Sequence, residues 1–254
     1  MENHNGVFGL GLFTKYSILE TDNTNCLNIL KETDTLKRHK LIDELTSKLS
    51  ADNEKSGFFS NNDVVEINLL FSLGFKINDN EIYYTFFDNL EKLLNKNNKF
   101  NGATVKAIIK TECDYFGKVA TPDTMSVRNE ISQCYLDEND NLYAPSIKEY
   151  KNKNCGACVE YASVAHNLFL LAGFKSFYVS SKDVKFQNSN TGDGHAFVIV
   201  ENQNNKALIF DIVNNIVKPL DKNPIEDMFN NKPFIVNNDC YANASYMNHE
   251  KPLG

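Results

Sequence analysis

The sequence predicts an α+β fold in which helices come first and an antiparallel sheet follows. Before Gly173, apolar residues recur mostly at three- and four-residue steps, the spacing of one face of a helix. Beyond it, residues 195–201 (HAFVIVE) and 207–213 (ALIFDIV) are apolar on both faces, as central strands are. The short Asn-rich stretch between these two runs suits a hairpin. Helices and strands that are segregated along the chain are typical of the α+β class.

The composition is typical of a globular protein with an ordinary core. Of the 254 residues, 42% are hydrophobic and 23% are charged. The net charge of −7 argues against nucleic acid as a partner. The six cysteines are too few for a small disulfide scaffold, and they fit a reducing compartment with room for one or two disulfides.

An apolar stretch at residues 7–13 (VFGLGLF) does not have the features of a targeting signal. Glu2 precedes it and no Lys or Arg does, whereas a signal peptide begins with a basic segment. The stretch is also too short to span a bilayer. We therefore expect a strand or docking segment, no membrane span, and a cytoplasmic location or secretion as an effector without a cleaved signal peptide.

Three helices are predicted in the first part of the chain. The first has Thr33 or Asp34 as its cap, and the second ends at Leu73 before a glycine. The third begins at Asp79 or Asn80 and has the strongest apolar stripe in the sequence. That stripe consists of Ile82, Phe86, Phe87, Leu90, Leu93 and Leu94. We expect it to pack in the core.

The polar stretch at residues 95–102 (NKNNKFNG) is the best candidate domain boundary. It separates a mainly helical N-terminal region, residues 1–100, from a second region, residues 101–254. In the second region we predict a helix at residues 103–115 and another from Pro122, since proline is favoured at the first helical position. A short strand is predicted at residues 176–181. Beyond Pro219 three further prolines, at positions 224, 233 and 252, predict a loop-rich tail.

Residues 152–173 (NKNCGACVEYASVAHNLFLLAG) predict a helix that begins at a cysteine. Polar residues run up to Cys155, and the helical period begins at Cys158. Gly173 follows the last periodic residue, where a left-handed helix stop is expected. Cys158 would then lie in the first turn, where backbone N–H groups and the helix dipole favour a thiolate.

A nucleophilic cysteine needs a base, and the chain has five histidines. His166 is eight residues into the same helix, roughly 12 Å along its axis from the cysteine. His4, His39 and His249 lie near the termini or on a solvated helix. His195 instead opens a buried strand after a Gly-rich loop, and it is the candidate base.

Asp211 interrupts the apolar run of the next strand, where an unpaired carboxylate would cost several kcal/mol. It either ends the strand in water or meets a donor, and His195 on the adjacent strand is the nearest candidate. A hairpin that pairs His195 directly with Asp211 has Glu201 opposite Asn205. A register shifted by one residue would turn Asp211 to the other face. Together with Cys158, the two side chains form a predicted Cys-His-Asp triad.

Three motifs in order resemble those of the transglutaminase-like superfamily, which has a papain-like fold. Residues 156–162 read GACVEYA, residues 195–198 read HAFV, and residues 209–212 read IFDI. They are similar to the family's G-x-C-x-[DE]-[YF]-A helix start, its H-A-aromatic-V strand and its apolar strand that ends in Asp. The resemblance covers about residues 154–213. It implies a papain-like core, with the cysteine helix packed on an antiparallel sheet, and it makes residues 101–254 the catalytic domain.

The resemblance also implies a cysteine-dependent hydrolase or acyltransferase that acts on amide bonds, as a protease, deamidase or transglutaminase. Cys158 would attack the carbonyl, His195 would carry the proton, and Asp211 would orient the imidazole. The chain has no Trp, so Phe197 stands where the family often has an indole. The backbone N–H of Cys158 is then the default oxyanion donor, and the side-chain amide of Asn152 is a second candidate.

Other interpretations of the Cys155-Gly-Ala-Cys158 sequence fit less well. A redox pair should follow a buried strand, but the preceding residues are polar. A structural zinc site needs a second pair of ligands, which Cys113, Cys134 and Cys240 do not form. No calcium-loop motif is present either. We therefore expect no metal and no cofactor.

The expected partner is a protein or peptide amide substrate, with hydrolysis favoured because water is the default acceptor. From another class, the chain could be a non-catalytic binding or scaffold module of the same fold. A third hypothesis is a bacterial effector that modifies a host protein. It is based only on the Asn- and Lys-rich composition and on the helical N-terminal region.

Overall fold

The computed structural model describes residues 22–53, 58–59, 79–133, 146–185, 193–201, 206–230, 232–236 and 239–247. Within these ranges the chain contains seven α-helices and seven strands in one sheet, so the predicted α+β class is confirmed. No helix in the described part of the chain is both long and apolar enough to cross a membrane. The predicted segment at residues 7–13 and the helix that ends at Leu73 lie outside the described residues.

The helices precede the sheet along the chain, apart from one short helix near its end and the two-residue strand Phe58–Phe59, which lies between the second and third helices. They are α1 (Thr24–Lys31), α2 (Thr35–Asn53), α3 (Asn80–Leu94), α4 (Phe100–Phe116), α5 (Pro122–Gln133), α6 (Cys158–Leu171) and α7 (Ile225–Phe229), with a 3-10 turn at Ile147–Tyr150. Helix α1 was not predicted, because residues 21–25 have a turn-like composition. The other long helices in the described ranges agree with the predicted ones to within a few residues.

Helix ends follow the predicted capping chemistry. The side chain of Asp79 accepts the backbone N–H of Glu81 at the start of α3. The side chain of Asp34, just before α2, accepts the backbone N–H of Lys37 at 3.0 Å. Gly173 ends α6 with a φ of 85°. A Cβ at this glycine would lie 1.7 Å from the carbonyl oxygen of Asp22, so no other residue fits there.

The strands form a single sheet. They are β1 (Phe58–Phe59), β2 (Ser176–Lys185), β3 (Asp193–Glu201), β4 (Ala207–Asp211), β5 (Ile216–Leu220), β6 (Phe234–Val236) and β7 (Asp239–Met247). The order is β1-β7-β2-β3-β4-β5, with β6 also paired to β7, and all pairs are antiparallel. The prediction of a loop-rich tail is therefore wrong, since β7 occupies an interior position beside β2.

The β3–β4 register differs from the predicted one by two residues. Val198 lies opposite Phe210 and Glu201 lies opposite Ala207, not opposite Asn205. Continuing this register by one residue places Asp211 opposite Phe197. An even shift keeps side chains on the same face, so the face is as predicted although the direct pair is not.

The two faces of the sheet are buried in different clusters. On one face, the larger cluster includes Ala196, Val198, Val200, Leu208 and Phe210 together with α6 and the earlier helices. On the other face, the smaller cluster includes Phe177, Phe197, Ile199, Ile209, Ile225 and Met228. This two-sided burial explains why β3 and β4 are apolar without alternation.

Helix α6 lies at the centre of the molecule. Every residue from Glu160 to Leu171 is buried, and the helix packs on β2, β3 and β4 as well as on α2 and α4. The larger cluster contains residues from both sides of the predicted boundary near residue 100, for example Phe86 and Phe116. The division into residues 1–100 and 101–254 stays a prediction.

Candidate active site

The loop that leads to Cys158 is held against the end of α4. The backbone N–H of Asn152 donates to the carbonyl of Tyr115 at 2.8 Å, and that of Asn154 donates to Phe116 at 3.2 Å. Both asparagines have positive φ angles, 59° and 51°, which asparagine tolerates better than most residues. The asparagines of this loop therefore allow the backbone conformation that the loop adopts.

Gly156, the first residue of the cysteine motif, occupies a tightly packed position where a side chain would need its neighbours to move slightly. A Cβ there would lie 3.1 Å from the ring of Tyr161 and 3.3 Å from the ring of Phe116. The Gly156 carbonyl accepts the backbone N–H of Ala120 at 2.8 Å. The glycine thus lets the chain pass close to α4 immediately before the nucleophile candidate.

A buried ion pair fixes the start of α6. Glu160 accepts the backbone N–H of Ala157 at 2.7 Å, which caps the helix one residue before Cys158. The same carboxylate accepts two hydrogen bonds from Arg128 on α5, from Nε at 3.2 Å and from Nη2 at 3.0 Å. The Glu160 side chain is 0% exposed and that of Arg128 is 16% exposed. A bidentate pair of this kind restrains both position and orientation.

The structure brings Cys158, His195 and Asp211 together. Nε2 of His195 lies 2.7 Å from Oδ2 of Asp211, and both side chains are buried. His195 also has a side-chain hydrogen bond with Cys158. Because Nε2 faces the carboxylate, Nδ1 is the ring nitrogen left for the sulfur.

The geometry of the hairpin explains the His195–Asp211 contact. In the observed register the two residues are diagonal neighbours on one face, a separation that longer side chains can bridge. The His195 ring also stacks on Phe197, two residues along the same strand, with ring centroids 6.1 Å apart. Phe197 therefore supports the imidazole from its own strand.

The surroundings of His195 stabilise its protonated form. Burial lowers the pKa of His195, but the hydrogen bonds with Asp211 and Cys158 and the negative charges of both residues raise it to about 10. His195 therefore carries its proton while it lies between Cys158 and Asp211.

Asn214 is part of this arrangement, and sequence reasoning missed it. Its side-chain Nδ2 donates to Oδ2 of Asp211 at 2.9 Å, and its backbone N–H approaches Oδ1 at 3.2 Å. Nδ2 also lies 2.9 Å from Nε2 of His195. A signal was present in the sequence, since an Asp followed by an Asn-rich turn is typical of side-chain-capped turns.

Tyr178 on β2 is a second residue that sequence reasoning missed. It is buried, and burial together with the negative charges of Cys158 and Glu160 raises its pKa. Its hydroxyl therefore stays protonated, within electrostatic range of the cysteine. Nothing in the spacing of the motifs points to β2, which pairs with β3 and also packs against α6.

The two cysteines of the motif have different surroundings. Cys158 is partly exposed, as a reacting sulfur must be. Cys155 is buried, and burial raises the pKa of its thiol, as does the charge of Glu160. The thiol at Cys155 is therefore inert by comparison.

Asn152 does not reach the other candidates through any hydrogen bond. Its side chain is exposed and forms no hydrogen bond within the described ranges. Its role as an oxyanion donor stays a prediction.

His166, excluded as the base by its position on α6, is fully buried and its Nδ1 lies 3.0 Å from Oγ of Ser176.

Among the residues that the structure describes, no group of three or more His, Cys, Asp or Glu side chains could hold a metal ion.

Comparison with protein-family models, curated proteins and solved structures finds no match to this chain. The resemblance to the transglutaminase-like superfamily therefore stays a prediction from its motifs.

Proposed function

We propose that the chain is a cysteine-dependent enzyme that acts on amide bonds and has a transglutaminase-like core. The observation that carries the proposal is the position of His195 between a sulfur and a carboxylate. Its Nε2 is 2.7 Å from Asp211, and it has a hydrogen bond with Cys158, the first residue of α6. A nucleophile, a base and an orienting carboxylate in this order are what acyl transfer requires.

The packing of α6 supports the papain-like part of the proposal. The helix that begins at Cys158 lies on the β2–β3–β4 part of an antiparallel sheet. His195 comes from β3 and Asp211 from the end of β4. This is the arrangement that the resemblance implies.

The first half of the reaction would form a thioester. The Cys158 thiolate attacks the carbonyl carbon of the amide, and a C–S bond forms as the C=O electrons move to oxygen. When the carbonyl reforms, the C–N bond breaks, and Nδ1 of His195 gives its proton to the departing amine. Asp211 keeps the ring oriented and stabilises its positive charge until that proton leaves.

The second half would release the acyl group. Water attacks the thioester carbon while His195 takes one of its protons, and the C–S bond breaks to give a carboxylic acid and the thiolate. An amine in place of water would give a new amide by the same steps. Hydrolysis is the default, because bulk water is the most abundant acceptor.

Helix α6 would stabilise the oxyanion in both halves. The backbone N–H of Cys158 is at the N-terminus of a 14-residue helix, where the dipole favours negative charge. The Glu160 contacts with Ala157 and Arg128 hold this end of the helix in place. Preorganised donors of this kind stabilise charge without rearrangement during the reaction.

The test is to incubate the protein with a peptide library and look by mass spectrometry for cleaved, deamidated or amine-linked peptides. Cys158→Ala should abolish product formation, a loss on the order of 10⁴-fold or more. Cys155→Ala, the matched control, should keep most of it. A binding module with this fold would give no product with either protein, and equal losses in both variants would also contradict the proposal.

A further inference from the structure

Asn214 contacts two members of the proposed triad at once. It lies in the turn after β4, three residues beyond Asp211. Its Nδ2 is 2.9 Å from Oδ2 of Asp211 and also 2.9 Å from Nε2 of His195. The side-chain amide of Asn214 is therefore within hydrogen-bond distance of both the candidate base and the carboxylate that orients it.

In the observed orientation, Asn214 holds the carboxylate. Its Nδ2 donates to Oδ2 and its backbone N–H to Oδ1, so each oxygen of Asp211 has a donor from the same residue. Nε2 of His195 reaches Oδ2 as well, at 2.7 Å. Because donors meet both oxygens, the carboxylate cannot rotate away from the imidazole without losing a hydrogen bond.

The amide of Asn214 has a donor end and an acceptor end, which a half-turn exchanges. After a half-turn, Oδ1 would stand where Nδ2 stands now, 2.9 Å from Nε2 of His195. While Asp211 is present, that orientation is unfavourable, because Oδ1 of Asn214 would lie against Oδ2 of Asp211 and both oxygens are acceptors. Without the carboxylate, the opposition disappears and Oδ1 can accept the Nε2 hydrogen.

We propose that Asn214 is a second positioning residue for His195. It holds Asp211 while the carboxylate is present, and it takes over as the acceptor for Nε2 when the carboxylate is absent. The inference rests on the proposed function, because it concerns the same histidine. An asparagine in this role is chemically sufficient, since Cys-His-Asn sets are catalytic in papain-like proteases.

The experiment measures how fast iodoacetamide alkylates Cys158, peptide by peptide and as a function of pH, so no substrate is needed. Exposed Cys113 is the reference thiol in the same molecule, and partial burial and the charges of Glu112 and Asp114 raise its pKa. Wild type should alkylate Cys158 at least about tenfold faster than this reference near pH 7. Equal rates would overturn the proposed function itself and the inference with it.

The variants then test Asn214 separately. Asp211→Ala should keep part of the Cys158 rate, and adding Asn214→Ala should lower it by about a further tenfold. In a wild-type background, Asn214→Ala should lower it only about threefold, because Asp211 still meets Nε2. The double variant Asp211→Ala with Asn214→Asp should extend fast alkylation back to lower pH, because a carboxylate within reach of Nε2 keeps the imidazole protonated and a protonated imidazole lets the sulfur ionise at lower pH.

Two results would overturn the inference while leaving the proposed function intact. One is an equal effect of Asn214→Ala with and without Asp211. The other is a relocated carboxylate that restores neither the rate nor the pH range.

Asn215→Gly is the control, because Asn215 is exposed with a φ of 56° and glycine keeps that turn. Circular dichroism shows whether Asp211→Ala folds. If it does not, the test uses the Asn214→Ala single variant. The inference is then overturned if the Cys158 alkylation rate of this variant depends on pH in the same way as that of Asn215→Gly does.

Discussion

Arg128 and Glu160 form the ion pair on which the start of α6 depends. Glu160 is fully buried and serves two partners, the Arg128 guanidinium and the Ala157 backbone N–H. Breaking such a pair from one side leaves a charge that the interior cannot solvate. The cost should therefore depend on whether one partner or both are replaced.

Glu160→Gln should lower the free energy of unfolding by about 3–5 kcal/mol, because it leaves Arg128 uncompensated while keeping an acceptor for Ala157. Arg128→Met combined with Glu160→Gln should cost less than Glu160→Gln alone. Urea unfolding of the two single variants and the double variant measures this. Asp114→Asn, in the exposed pair with Lys110, is the control and should cost about 0–1 kcal/mol. Additive costs at Arg128 and Glu160 would contradict the interpretation.

The raised pKa of His195 predicts how its contribution to stability changes with pH. The group binds its proton more tightly in the folded chain than in the unfolded chain, where the pKa is near 6.5. Its contribution is therefore fully present below about pH 6.5 and is lost as the pH rises through about 10.

Asp211→Asn removes one of the two negative charges that raise this pKa. The difference in free energy of unfolding between wild type and this variant should be largest near pH 6 and should shrink towards pH 10. Urea titrations at about one-unit pH steps measure the difference. A difference that is constant or grows over this range would contradict the assigned role of Asp211.

The site residues that were predictable are those with local signals. Cys158 begins a helical period after a polar loop, and His195 and Asp211 are polar interruptions of buried strands. Arg128 lies on another helix, and no sequence spacing relates it to Glu160. Tyr178 joins the site through the pairing of β2 with β3 and the packing of α6 on β2. Contacts of this kind depend on the tertiary arrangement, which local patterns do not contain.

At the level of elements, the β3–β4 hairpin shows what a pattern of apolar residues can and cannot determine. Side-chain alternation determines which face a residue takes, and His195 and Asp211 do share a face. It does not distinguish registers that differ by two residues. The observed register differs from the predicted one by just that amount, since Glu201 lies opposite Ala207.

Strand β7 was missed for a different reason. Its sequence, DCYANASYM, is poor in the β-branched residues that mark strands, and prolines flank it at a distance. It is a strand because β2 offers it a partner along most of its length. Pairing of this kind overrides a weak local preference.

The apolar stripe of α3 gives a prediction at the same scale. Phe86 is 0% exposed, so Phe86→Ala should lower the free energy of unfolding by about 3–5 kcal/mol through loss of burial and the cavity left behind. Lys92→Ala on the exposed side of the same helix should change it by less than about 0.5 kcal/mol. Chemical denaturation compares the two. A Phe86 variant of normal stability would mean that the stripe is not a core element.

For the whole molecule, the larger cluster connects the first helices to the sheet. It extends from Cys26 on α1 through Phe86 on α3 and Phe169 on α6 to Phe210 on β4. A contiguous core of this kind favours cooperative unfolding. The boundary predicted near residue 100 would instead favour two separate units.

Urea unfolding followed by two signals distinguishes these cases. Far-ultraviolet circular dichroism reports mainly on the helices, and tyrosine fluorescence is usable because the chain has 11 Tyr and no Trp. We expect the two transitions to coincide, and Phe86→Ala should shift both by the same amount. Separate midpoints, with only the helical signal shifted, would support independent regions at residues 1–100 and 101–254.

The interior position of β7 has a consequence for how the chain is made. Protein synthesis delivers roughly 5–20 residues per second in sequence order, so β2 leaves the ribosome well before the strand that covers its edge. In that interval β2, β3 and β4 can already pair and bring His195 close to Asp211. The nascent chain would then carry an assembled site beside an open sheet edge, which is a template for association with other strands. Chaperone demand during translation should therefore be greatest between the synthesis of β2 and that of β7.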